Sequence, residues 1–110
     1  MVIKKNDSAT IIEYDEKSFE DFFSMFSKKY SNFAEINLII DFSHFLGVKK
    51  ENILLFLHYS KAHKNNGMSF VLVAQGINID DMPEEITIAP TVLEANDIIE
   101  MEIIEKEIGI

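Results

Sequence analysis

Residues 36–42, Ile-Asn-Leu-Ile-Ile-Asp-Phe, and 69–73, Ser-Phe-Val-Leu-Val, are the two stretches that most constrain this chain. Both are short, rich in branched and aromatic side chains and apolar almost without interruption, so they read as strands buried in a sheet. The continuous run at 36–42 predicts burial on both of its faces. Between the two, the spacing predicts a helix from about Lys50 to Asn65, ended by Asn66-Gly67. A buried strand, a crossover helix and a second buried strand form a parallel unit with a right-handed connection.

The flanking segments extend that unit. Met1–Lys5 and Ala9–Tyr14 are strand formers separated by the turn residues Asn6-Asp7-Ser8, which predicts a hairpin. Ser18 then offers a helix N-cap, with Asp21 three positions on. Phe19, Phe22, Phe23, Phe26 and Tyr30 follow at helical spacing and mark one face, expected to pack on the sheet. Residues 74–83 contain Gly76, Asp80, Asp81 and Pro83 and support no more than one short turn. Glu85–Ala89 alternates like a strand. Pro90-Thr91 opens a last helix, with Thr91 as cap and Glu94 completing a capping box. Leu93, Ile98, Ile99, Met101, Ile103 and Ile104 are expected to supply its apolar surface. The resulting order is ββαβαβ, a short turn, then βα: one α/β domain over residues 1–110, with a mixed sheet of about five strands and three main helices.

Charge is distributed unevenly. Residues 1–79 hold nine acids and nine lysines, whereas residues 80–110 hold ten acids against Lys106, so the formal charge of −9 resides in the last 31 residues. All ten basic residues are lysines. Nucleic-acid binders need a basic face, usually with arginine forks for phosphate and guanine, so direct nucleic-acid binding is not expected. The absence of cysteine excludes disulfides and thiolate chemistry. The amino-terminal residues do not resemble a signal peptide, and no apolar run approaches the roughly 20 residues that cross a bilayer. A cytoplasmic location away from membranes is therefore expected.

Catalytic constellations are sparse. His58 and His63, five apart on a helix, point about 140° from each other and cannot chelate as an i, i+4 pair would. His44 follows Asp41-Phe42-Ser43 at a strand end, but neighbours on an extended chain face opposite ways, which makes a Ser43–His44–Asp41 triad a poor arrangement. The four glycines are isolated and build no phosphate loop. In the last helix Glu94, Asp97, Glu100, Glu102, Glu105 and Glu107 alternate with apolar residues in the manner of a solvated face. No cofactor, no metal site and no enzymatic activity are expected. The alternative is a ligand pocket or small active site near Ser43 and His44, since open α/β sheets bind ligands at strand ends.

The stretch Leu38–Val73 resembles the centre of a STAS domain, the fold of bacterial anti-sigma-factor antagonists. Leu38-Ile39-Ile40-Asp41-Phe42-Ser43 is similar to that family's Leu-Ile-Leu-Asp-Leu-Ser, and Gly67 with Phe70–Val73 is similar to its helix end and following strand. In this alignment the family's Asp-Ser-Ser-Gly falls on Lys49-Lys50-Glu51-Asn52. The resemblance implies a protein-binding module whose partner surface includes Ser43, His44, Lys49, Lys50, Glu51 and Asn52. It also implies that the phosphoacceptor serine is missing, so that no phosphorylation switch operates there. The family's third helix would be reduced here. The tail Pro90–Gly109 is similar to the ending of short STAS-like bacterial proteins that carry the name ribonuclease Z or are encoded beside it. That likeness implies ribonuclease Z as a partner by association. The nuclease activity does not carry over, because its His-x-His-x-Asp-His metal cluster has no counterpart among His44, His58 and His63.

Overall fold

In a computed structural model, which describes residues 1–109, the chain forms a five-stranded mixed sheet with helices on both faces. The strands are β1 (Val2–Lys5), β2 (Thr10–Glu13), β3 (Leu38–Asp41), β4 (Phe70–Val73) and β5 (Thr87–Ala89), and they lie side by side in chain order. The β1–β2 pair is antiparallel and every other pair is parallel. The hairpin turn is set by Asn6, whose side-chain oxygen accepts from the backbone N–H groups of Ser8 and Ala9 at 2.8 Å each.

Strands β3 and β4 are buried at every position, as their almost wholly apolar sequence requires. Period-2 alternation then divides their side chains between two cores. Leu38, Ile40, Phe70 and Leu72 join one cluster with Ile12 and Ile88, while Ile39, Val71 and Val73 join another with Ala9 and Ala89. Three successive crossovers, β2 to β3, β3 to β4 and β4 to β5, step in the same direction across the sheet. Connections of one hand must then lie on one face.

That face is aromatic. Helix α1 (Phe19–Lys29) begins at Ser18, whose hydroxyl accepts from the Asp21 N–H at 3.1 Å, and it buries Phe19, Phe22 and Phe26. Phe23 and Tyr30 are half-buried beside them, so the stripe is a core face. The expected second helix is present but broken. It runs as α2 (Lys50–Leu54) and α3 (Leu57–Asn65), and the N–H groups of Leu55 and Phe56 reach carbonyls three residues back. This tightening accompanies complete burial of Ile53, Phe56, Ser60 and His63 along one line. Phe56 packs against the rings of Phe19, Phe23, Phe26, Phe42 and Phe70, with centroids 5.2–6.4 Å apart. Gly67 ends α3 with φ at +76°, a conformation that a side chain would strain.

A last helix, α4 (Val92–Glu107), starts where Thr91 Oγ1 accepts from the Glu94 N–H at 3.1 Å, and it lies across the other face. Only Ala95 and Ile99 of this helix are fully buried. Ile98 and Ile103 pack partly against the same core, but Leu93, Met101 and Ile104 are exposed, so the apolar surface expected of this helix is split between core and solvent. Among the described residues no helix is long and apolar enough to cross a membrane.

The aromatic layer sets an energetic expectation. Replacing Phe56 with alanine should cost about 3–5 kcal/mol, because its cavity lies among rings held by α1, the end of β3 and β4. Urea denaturation followed by circular dichroism measures this loss.

Candidate functional site

The sheet end to which sequence reasoning assigns Ser43 and His44 is built from β3. Asp41, the last strand residue, is buried, and its carboxylate accepts from the Ser43 N–H at 2.8 Å and from the Ser43 hydroxyl. This local turn uses the serine as a backbone brace and leaves no imidazole between it and the carboxylate. His44 is exposed on the outer side of the turn. The hydroxyl–imidazole–carboxylate relay considered for these three residues is therefore not assembled.

Beyond the turn the chain crosses Leu46 and Gly47 to the start of α2. Leu46 is 93% exposed, the most exposed large apolar side chain among the described residues. Leu46 is absent from the surface expected from the sequence, although an apolar residue between His44 and Gly47 was a signal available there. Lys49 is the N-cap of α2, and Lys50, Glu51 and Asn52 are its first three residues. Asn52 Oδ1 accepts from the Lys49 N–H at 2.8 Å. The reciprocal half of a capping box is missing, because a lysine side chain offers no acceptor. Lys49, Lys50 and Glu51 are exposed and Asn52 is half-buried. The six residues Ser43, His44 and Lys49–Asn52 thus belong to one loop-to-helix segment at the carboxyl end of β3, with Leu46 at its middle.

Hollows are found at the opposite, amino-terminal end of the parallel strands. One of about 340 Å³ is lined by Lys64, Gly67, Met68, Ser69, Glu102 and Lys106, among others. Its polar groups are committed to structural contacts, two of them tying α4 to the amino-terminal end of β4. Ser69 Oγ donates to Glu102 at 2.5 Å, Lys106 donates to the Gly67 carbonyl, and Lys64 donates to the Glu85 carbonyl and Thr87 Oγ1 at 2.8 Å each. Burial pushes the Lys64 ammonium below the usual lysine range, against the pull of Glu102 and Glu85. A second hollow of about 310 Å³ lies beneath the hairpin turn, between Lys5–Thr10 and Glu35–Asn37. Neither is lined by Ser43 or His44.

The histidines occupy three different environments. His44 and His58 are exposed, whereas His63 is fully buried. Its Nε2 donates to the Ile36 carbonyl at 2.5 Å, and its Nδ1 accepts from the Tyr30 hydroxyl at 2.8 Å, which fixes a neutral tautomer. Burial lowers its pKa, and the Ile36 hydrogen bond opposes this only in part. Among the described residues no three His, Asp or Glu side chains are grouped so as to hold a metal ion. No family model matches the chain, and no curated protein matches it.

His63 has a consequence for acid stability. Unfolded histidine takes its proton near pH 6.5, whereas the buried ring resists protonation to lower pH. The stabilisation is therefore complete above about pH 6.5 and is lost as the pH falls from there through the lowered folded-state pKa. Urea midpoints should drop between pH 7.5 and 5.5, and His63→Gln should lower the midpoint at pH 7.5 while flattening this dependence.

Proposed function

We propose that this chain is a non-catalytic, STAS-like protein-interaction module, and that the segment from Ser43 to Asn52 is one of its contact surfaces. The observation that carries the reading is the 93%-exposed Leu46, flanked by exposed His44, Lys49 and Lys50. These residues project from the end of a strand that is itself buried at every position. Exposed apolar side chains are common singly, but this one lies just beyond a braced turn at the end of a fully buried strand, where a partner could reach it. The likeness of Leu38–Val73 to STAS domains supports the same location, since that family's regulated helix start falls on Lys49–Asn52.

No serine or threonine occupies that helix start, and the nearby Ser43 hydroxyl is engaged by Asp41. Partner binding here is therefore constitutive, without a phosphate to break it. Two lysines at the helix start oppose its dipole. In a contact surface they would be retained for an acidic patch on the partner. The partner to test first is ribonuclease Z, on the likeness of the Pro90–Gly109 tail.

Tagged wild-type protein and a Leu46→Asp variant, matched in thermal midpoint, should differ at least tenfold in the amount of a specific partner recovered from native lysate. The same ratio should appear with purified ribonuclease Z if that is the partner. Equal recovery by both proteins would remove the loop from the interface. Lys50→Glu should raise stability by about 0.3–1 kcal/mol through the helix dipole and weaken partner capture. Stabilisation with capture unchanged would mean that the lysines are ordinary surface residues.

A further inference from the structure

The outer face of α4 carries an apolar stripe that the fold leaves uncovered. At about 100° per residue, Leu93, Ile104, Asp97, Ile108 and Met101 fall within an arc of about 80°, centred opposite the buried Ala95 and Ile99. Leu93 is 72% exposed, Ile108 63%, Met101 60% and Ile104 53%. Where the stripe meets the hairpin, Ile103 and Ile104 line a groove of about 310 Å³ together with Ser8, Glu100 and Glu107. Both borders are acidic: Glu94 and Glu105 flank the stripe on one side, Glu100 and Glu107 on the other, and Asp97 lies within it. A helix with one apolar face against its own sheet and another facing out has a surface shaped for a second helix.

We infer that this stripe and its groove dock an amphipathic helix of a partner protein whose apolar face is bordered by lysine or arginine. Charge selects the occupant. A second copy of this chain would set acidic border against acidic border, a like-charge arrangement that interfaces avoid. Membrane-surface helices flank their apolar face with cations that meet anionic lipid, the reverse of the pattern here. A basic amphipathic segment satisfies both the stripe and its borders, and a cation opposite Asp97 pairs the one charge that lies inside the contact. This inference goes beyond the loop-mediated reading, since α4 packs on the other face of the sheet from α2 and the two surfaces share no residue.

The test uses two synthetic 18-residue helical peptides with the same leucine stripe, one flanked by lysine and the other by glutamate, titrated into the full chain by fluorescence anisotropy. The lysine-flanked peptide is expected to bind with 1:1 stoichiometry and the glutamate-flanked one not to bind. A Leu93→Ser/Ile104→Ser variant, which keeps every charge, should bind at least about tenfold more weakly, given the apolar area removed. Leu46→Asp should bind as wild type does, which separates failure of this inference from failure of the loop reading. Undiminished binding by the double serine variant would reduce the contact to non-specific charge attraction and overturn the inference. Failure of both peptides to bind would also overturn it. So would a concentration-dependent dimer, seen by light scattering, that the serine variant abolishes, or wild-type binding to phosphatidylcholine–phosphatidylserine vesicles.

Discussion

Two-sided burial of β3 and β4 is the constraint from which the other layers follow. Leu38, Ile39, Ile40, Phe70, Val71 and Leu72 are each no more than 1% exposed, so neither face of the central sheet can be left to water. Burying side chains of this size stabilises by about 1.5–3 kcal/mol each, far more than any surface ion pair in the molecule supplies. Covering one face takes the crossover helices, which a single connection hand places together. Covering the other requires α4, the only long helix among the described residues that is not a crossover. That helix is therefore anchored to the sheet through Ala95 and Ile99.

The two cores are chemically unlike. On the crossover side the packing is aromatic, with Phe26 in contact with the rings of Phe22, Tyr30, Phe33, Phe56, Tyr59 and Phe70. Large planar side chains fill the space between sheet and helices only in particular orientations, and the break between α2 and α3 is where the backbone yields to that packing. A polar group sits inside this layer only because it is fully paired: His63 is held between Tyr30 and the Ile36 carbonyl. Across the sheet the core is small and aliphatic, built from Ala9, Ile39, Val71, Val73, Ala89, Ala95 and Ile99. Alanines at the contact let α4 approach closely, and the helix is tied down at the amino-terminal end of β4 by Ser69–Glu102 and Lys106–Gly67.

Several polar side chains are engaged structurally by these layers: Asp41 and Ser43 with each other, His63 in the core, Lys64 at the β5 edge. The surface presents an apolar loop tip beside two lysines at one end of the sheet and an acid-bordered apolar stripe on α4. The charge segregation of the sequence becomes spatial, because ten of the nineteen acids lie in residues 80–110 and that segment contains α4. The two proposed contact surfaces thus differ in the sign of their charge.

Much of the architecture was legible in the sequence, because the signals concerned are local. Hydrophobic runs marked β3 and β4, the Phe19–Tyr30 spacing marked the core face of α1, and Ser18 and Thr91 capped where expected, since a cap needs only its own first turn. The element order and a mixed sheet with right-handed crossovers were legible too, whereas the pairing of the five strands in chain order came from the tertiary structure. Four further things needed the tertiary structure: the break at Phe56, the destination of His63, the engagement of Ser43 by Asp41 and the sidedness of α4. The apolar residues of that last helix are spread around its whole circumference, so no periodicity distinguishes those that meet Ala89 and Val71 from those that meet solvent. Composition determined that α4 is apolar and acidic; only the position of the sheet beneath it decided which side faces out.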